Sequence, residues 1–227
     1  MRDRWLSPPA LMGWLARQAR RRGLCLECGA GRGEIGHFMA GCFDQVLLLD
    51  QRSKVWRPDD PKVWRLRGQA EAIPLTSGSV DLLVSMQALH HFRLEDHLQE
   101  AARVLRSGGV FAALSWGALR LPQAIARAYA PTFRSLDAFW EDQRPWVLSG
   151  YAGTAFPGRA ITLPRAALRK RLRLADLELE IARWSAMQTA LKLGAEIADP
   201  DSTLPAFNST ERFEAIWPIV GLVYSRS

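Results

Sequence analysis

Short apolar runs alternate with stretches of helical spacing along the first half of the chain, and this pattern limits the fold more than any other feature. Leu24-Cys25-Leu26-Glu27-Cys28 reads as a buried strand, Gly29 to Gly33 as a turn, and Glu34 to Cys42 as the opening of a helix. Gln45 to Asp50, Val63 to Arg67, Val80 to Ser85 and Val110 to Ser115 read as four further strands. Leu94, Leu98, Ala101, Ala102 and Leu105 share one helical face, and Gly108-Gly109 marks the end of that helix. Strands joined through helices need crossover connections and so form a mostly parallel sheet. Runs that are apolar throughout fit a sheet covered on both faces. The expected class is α/β.

After Trp116 the pattern changes. Residues 117–175 hold a cluster of aromatics and no clear strand, and they read as a substrate-side insert above the sheet. The core is expected over about 8–116 and 176–227 of a single domain, with a late strand at Ile216 to Tyr224. At 48% hydrophobic and 23% charged residues, the composition excludes a disordered chain or a coiled coil. No apolar run approaches the ~20 residues of a membrane span. The N-terminal Met1-Arg-Asp-Arg-Trp-Leu-Ser-Pro-Pro has no signal-peptide pattern. Cys25, Cys28 and Cys42 are too few and too clustered for a disulfide framework. Cys25 and Cys28 lie within a strand and have no second pair, so they read as buried packing residues, with no metal site. A reducing cytoplasm is the expected location.

The net charge is +7, and only four of the 30 basic residues are lysines. Two basic runs stand out, Arg17 with Arg20-Arg21-Arg22, and Arg165 with Arg169-Lys170-Arg171 and Arg173. No aromatic residue interleaves with either, which favours solvated helix faces over a nucleic-acid surface.

The strongest local signal is Glu27-Cys28-Gly29-Ala30-Gly31-Arg32-Gly33, which leaves a strand and opens a helix. Glycines there let the backbone approach a ligand closely, and free amides at a helix start suit an anionic group. Asp50 closes the next strand, where a carboxylate can accept both hydroxyls of a ribose. Gly31, Gly33 and Gly36 also fit the spacing of a dinucleotide fingerprint, so two ligand classes are compatible with the turn. A nicotinamide dinucleotide would need a second nucleotide-binding half, of which the sequence carries no sign. The alternative is S-adenosylmethionine, with one adenosine, no phosphate and an amino-acid end. Glu27 would then face its ammonium, directly or through water, where it would repel a pyrophosphate.

Further blocks carry a resemblance. These are Gly68-Gln69-Ala70-Glu71-Ala72-Ile73-Pro74-Leu75, Ser79-Val80-Asp81-Leu82-Leu83-Val84, Ala88-Leu89-His90-His91-Phe92, and Glu100 through Arg103-Val104-Leu105-Arg106 to Gly108-Gly109. In order and spacing the chain resembles class I S-adenosylmethionine-dependent methyltransferases of the ubiquinone/menaquinone-methyltransferase-like (type 11) group. Phe139-Trp140 with Arg144, Gly150-Tyr151 with Phe156-Pro157, Arg183-Trp184-Ser185-Ala186 and Ile216-Trp217-Pro218 resemble the trans-aconitate-methyltransferase-like branch. The resemblance implies a Rossmann-like seven-stranded, mostly parallel sheet with its last strand antiparallel. It places the cofactor on Glu27, Gly29, Ala30, Gly31, Asp50, Gln51, Gln69, Ala70, Glu71 and Gln87. The chain departs from the pattern in three places. Only residues 1–23 precede the first strand, Gln69 stands where an acid is common, and Gln51-Arg52-Ser53-Lys54 is more basic than usual.

Methyl transfer is an in-line displacement at a sulfonium carbon, in which positive charge disperses. Positioning can therefore supply most of the acceleration, and a base is needed only for an acceptor that must lose a proton. His90 and His91, after the fourth strand, are the candidate bases. Arg144 or Arg183 is placed to pair with an acceptor carboxylate, and Trp116, Trp140, Tyr151 and Trp184 to wall its pocket. The expected activity is methyl transfer to an oxygen, carboxylate or hydroxyl, of a small molecule, with S-adenosylhomocysteine as product. The alternatives are an RNA methyltransferase using the arginine-rich surface and a catalytically inactive cofactor-binding partner protein. No Asp/Asn-Pro-Pro-aromatic motif follows the fourth strand, which argues against methylation of exocyclic base amines.

Overall fold

A computed structural model describes residues 5–52, 60–201 and 211–227; Ser53 and Lys54 of the basic stretch lie outside the described residues. The apolar runs form β1 (Leu24–Cys28), β2 (Gln45–Asp50), β3 (Val63–Arg67), β4 (Val80–Met86) and β5 (Leu105–Trp116). All neighbouring pairs among them are parallel, in the order β3-β2-β1-β4-β5. The path continues through β8 (Phe213–Ser225), antiparallel to β5, to the two-residue β6 (Arg159–Ala160). This gives the expected seven strands, and β7 (Ala166–Leu172) also pairs with β8.

Alternation along the strands sends side chains into two apolar layers. Cys25, Leu82, Val84, Val110 and Ala112 face one layer, filled by Leu11 and Leu15 of α1 (Pro8–Gln18) and Met39 of α2 (Glu34–Ala40). Leu26, Leu83, Phe111 and Ala113 face the other, filled by Ala101 and Val104 of α3 (Leu94–Val104). Each wholly buried leucine contributes about 2 kcal/mol of apolar burial, so both faces of the sheet are strongly specified.

The chain divides into two compact units. One lies within Met1–Gly117, Trp146–Ala167 and Ile219–Ser227, the other within Ala118–Pro145 and Leu168–Pro218. These bounds differ from an insert over 117–175 because 146–167 belongs with the sheet and 168–218 with the second unit. The second unit packs its own core of Ile125, Tyr129, Leu136, Leu177, Ile181, Ala186 and Phe213.

Two local readings change. β5 starts at Leu105 rather than Val110, running through Gly108 and Gly109, because a register shift opposite Val80 and Leu82 absorbs the extra residues. The basic run at 169–171 lies on β7, where no strand was expected. Strand alternation hides there beneath the charges, with Arg169 and Arg171 exposed between better-buried neighbours. Most of those charges are already paired: Arg169 with Glu214 at 3.0 Å, Lys170 with Glu180 at 2.6 Å and Arg173 with Asp176 at 3.1 Å.

Candidate functional site

The expected cofactor residues stand at the carboxyl ends of β1 (Glu27 and Gly29 to Gly31), β2 (Asp50 and Gln51), β3 (Gln69 to Glu71) and β4 (Gln87). Leaving β1, the amides of Gly29 and Ala30 both donate to the Leu49 carbonyl, at 2.9 and 3.1 Å, and Gly33 N–H donates to the Ala30 carbonyl. These bonds curl the chain into a tight turn before α2. Gly29 must be glycine, since its φ is +68° and a Cβ would stand 2.5 Å from the Ala88 Cβ. At Gly31 (φ +50°) a Cβ would meet no heavy atom within 4 Å, so this face of the turn is an open cradle that suits a closely approaching ligand.

Asp50 ends β2 directly beside the cradle. Its Oδ2 accepts Gly31 N–H and its Oδ1 accepts Arg52 N–H, both at 2.8 Å. A carboxylate has about four lone-pair sites, so capacity remains for two ribose hydroxyls. A cleft of about 280 Å³ adjoins it, lined by Gln51, Arg52, Arg67, Gly68 and Gln69. The two expected glutamines therefore line one cleft. Ala70 and Glu71 are held from behind. The Ala70 carbonyl accepts His97 Nδ1–H at 2.9 Å, and Glu71 Oε1 accepts Arg93 N–H at 2.8 Å. His97 is wholly buried and fixes this segment.

Glu27 is 3% exposed, and its Oε2 accepts Gly36 N–H at 2.8 Å. Burial pushes its carboxyl up to about 8 despite the pull of Gly36 N–H and the charge of Arg65. A ligand cation favours the ionised form of such a group, so the residues present fit the ammonium end of an adenosyl amino acid. The same burial has a cost that depends on pH. An ordinary glutamate ionises near 4.5, so between that value and about 8 the folded chain keeps a proton the unfolded chain has lost. The stability this proton provides is full below 4.5 and disappears as pH rises through 8. Glu27→Gln should therefore raise the melting temperature at pH 9, by an amount on the order of 5 kcal/mol in stability, and leave it nearly unchanged at pH 5. Scanning calorimetry at both pH values checks this, and equal shifts at the two would contradict it.

At the end of β4, Gln87 is exposed and holds φ +56°, a conformation that non-glycine residues rarely adopt away from functional sites. His90 and His91 follow on a single 3₁₀ turn, Leu89–His91, with ring centroids 4.0 Å apart. His91 is exposed and His90 half-buried. His90 Nδ1 lies 3.3 Å from the Tyr151 hydroxyl. Tyr151, expected in an acceptor wall, is wholly buried, with φ +64°, and burial pushes its phenol up so that it stays neutral. Its contact is therefore with His90. Trp116 closes β5, half-buried against the α1–α2 layer.

The second unit brings Trp140, Arg144 and Trp184 together. The Arg144 guanidinium sits 3.4 Å from the Trp140 ring centroid, and the Trp140 and Trp184 centroids are 5.6 Å apart. Desolvation lowers the Arg144 pKa. Sequence reasoning missed Arg65, which lies beneath the turn. Its signal is an arginine two residues after the buried Val63, on the same strand face.

Residues 26–113 match the profile of a methyltransferase domain. A Dictyostelium discoideum protein described as a methyltransferase is 26% identical over 204 residues, 84% of this chain and 76% of that protein. A malonyl-[acyl-carrier protein] O-methyltransferase of Enterobacter lignolyticus is 34% identical over 121 residues, 52% of this chain and 47% of that protein. A solved structure described as a type II methyltransferase from Anaeromyxobacter dehalogenans superposes with a TM-score of 0.81 at 28% identity, covering 98% of this chain and 97% of that one. Among the described residues, no helix is long and apolar enough to cross a membrane.

Proposed function

We propose that this chain, whose residues 26–113 match a methyltransferase domain, is a class I S-adenosylmethionine-dependent methyltransferase that moves a methyl group to an oxygen of a small-molecule acceptor. S-adenosylmethionine is the cofactor, and when bound it supplies an electrophilic methyl on a sulfonium. Gly29, Ala30 and Gly31 shape the cradle, and Asp50 accepts the ribose hydroxyls. Gln51 and Gln69 line the adenine recess, Ala70 and Glu71 flank it, Gln87 borders the donor, and Glu27 offsets the ammonium. The observation that carries the reading is the open face of Gly31 set directly against the Asp50 carboxylate.

His90 is our candidate base. With Nδ1–H donated to the Tyr151 hydroxyl, the neutral imidazole is the tautomer that accepts a proton at Nε2. A base held in this way favours a hydroxyl acceptor, and among the described residues His91 has no such support. Trp116, Trp140, Arg144 and Trp184 remain our acceptor-binding residues, with the stacked Arg144 suited to a carboxylate elsewhere on the acceptor. The motifs around Trp140, Tyr151 and Trp184 are our ground for the trans-aconitate-like branch, and a cytoplasmic setting is our reading of the cysteines. The partial match to malonyl-[acyl-carrier protein] O-methyltransferases favours a second reading, a carboxylate acceptor that needs no base. The ion pairs along β7 weigh against an RNA-binding surface there.

Tritium-labelled S-adenosylmethionine with a small-molecule extract or with total RNA tests the proposal. Label is expected in the small-molecule pool and stable to base, as a methyl ether. Base-labile label released as methanol would support the carboxylate reading. Label in RNA alone would overturn both.

A further inference from the structure

Residue Gly31 is gripped on both sides of its backbone. Its N–H donates to Asp50 Oδ2 at 2.8 Å, and its carbonyl accepts Arg65 Nη1–H at 2.6 Å. Arg65 rises from β3, paired in register with Leu48 of β2, and its Nη2 lies 2.9 Å from where a Cβ on Gly33 would stand. It thus lies under the turn from Gly31 to Gly33. It also acts on Glu27, the buried carboxylate at the other end of the turn. The charges bearing on Glu27 are Arg65 from β3, Glu34 from α2 and Asp50 from β2; the two acids oppose its ionisation and Arg65 favours it. Cys25 and Cys28, on its own strand, are held in their neutral thiol forms by burial.

We propose that Arg65 is a positioning residue for the methyl donor, fixing the open face of Gly31 through its carbonyl and supplying the counter-charge to Glu27. This rests on the methyl-donor reading of the cradle and adds to it a residue on a third strand. A lysine could supply the charge but has no planar fork to follow the curve of the turn. A neutral donor could hold the carbonyl but would leave Glu27 facing two acids. The two roles can therefore be separated by substitution.

The experiment is calorimetric titration of S-adenosylhomocysteine into the full chain, from pH 6 to 9, for the wild type, Arg65→Gln, Arg65→Lys and Arg65→Met. The ligand's own ammonium titrates equally in all four, so differences between profiles belong to the protein. Arg65→Gln should bind nearly as tightly as the wild type at pH 9, with the midpoint of its pH profile displaced upward. Arg65→Lys should keep the wild-type midpoint and lose about tenfold in affinity at every pH. Arg65→Met should show both defects. A merely structural arginine would lower melting temperatures and leave the pH profiles superimposed. If the wild type binds and the Gln and Lys variants both match it in affinity and midpoint, the assignment of Arg65 is overturned and the donor site stands. If the wild type does not bind S-adenosylhomocysteine, the donor reading fails and the role of Arg65 fails with it. The Gln and Lys variants keep a polar head at this position, so the test does not depend on the folding of Arg65→Met.

Discussion

Replacing Asp50 with alanine should weaken S-adenosylhomocysteine binding by about 100-fold. Two hydroxyl donors on one carboxylate are worth about 3 kcal/mol together, and each 1.4 kcal/mol is a factor of ten. The carboxylate already accepts Gly31 N–H and Arg52 N–H in the free chain. The alanine variant therefore also releases the amide that sets the cradle and the turn after β2. Asp50→Asn separates the two losses, because its amide keeps one acceptor oxygen and its NH₂ cannot accept from either backbone donor. It should fall between the wild type and Asp50→Ala. Calorimetry at one pH measures all three, and an Asp50→Ala protein with wild-type affinity would remove this residue from the site.

The cradle was legible in the sequence because its constraints are local. A strand of apolar residues, glycines where the backbone must turn sharply and an acid closing the next strand are all set by neighbours in the chain, and β1, β2 and β3 appear at their expected bounds. What escaped was set by distant contacts. β7 hides its alternation under Arg169 and Arg171, and its pairing with β8 becomes visible only when residues more than forty apart meet, as Arg169 and Glu214 do. The beginning of β5 was hidden by glycines that in isolation signal a helix end. Tyr151 looked like a pocket wall because aromatics near a site usually are; only its complete burial and its contact with His90 across 61 positions reassign it. Arg65 left one trace, a charge on the inward face of a strand, and nothing in the sequence said that the charge would meet the Gly31 carbonyl.

Replacing His90 with glutamine should lower kcat by about 10²–10⁴-fold on a hydroxyl acceptor, the range lost with a general base. Donor binding should be unaffected, because the cradle contacts described above do not pass through the imidazole. Tyr151→Phe should lower kcat less, by about tenfold, since the ring stays in place and loses only the hydroxyl that holds Nδ1 at 3.3 Å. This order follows from geometry, with the group that takes the proton mattering more than the group that orients it. Adding imidazole to His90→Ala sharpens the assignment. A small base diffusing into the gap left by the side chain should restore part of the rate with His90→Ala and none with His90→Gln, whose side chain still fills the space. Rate constants under saturating donor and acceptor give the comparison. A His90→Gln enzyme with unchanged kcat would show that the acceptor arrives already ionised, transferring the reading from a hydroxyl to a carboxylate and leaving methyl transfer here to positioning alone.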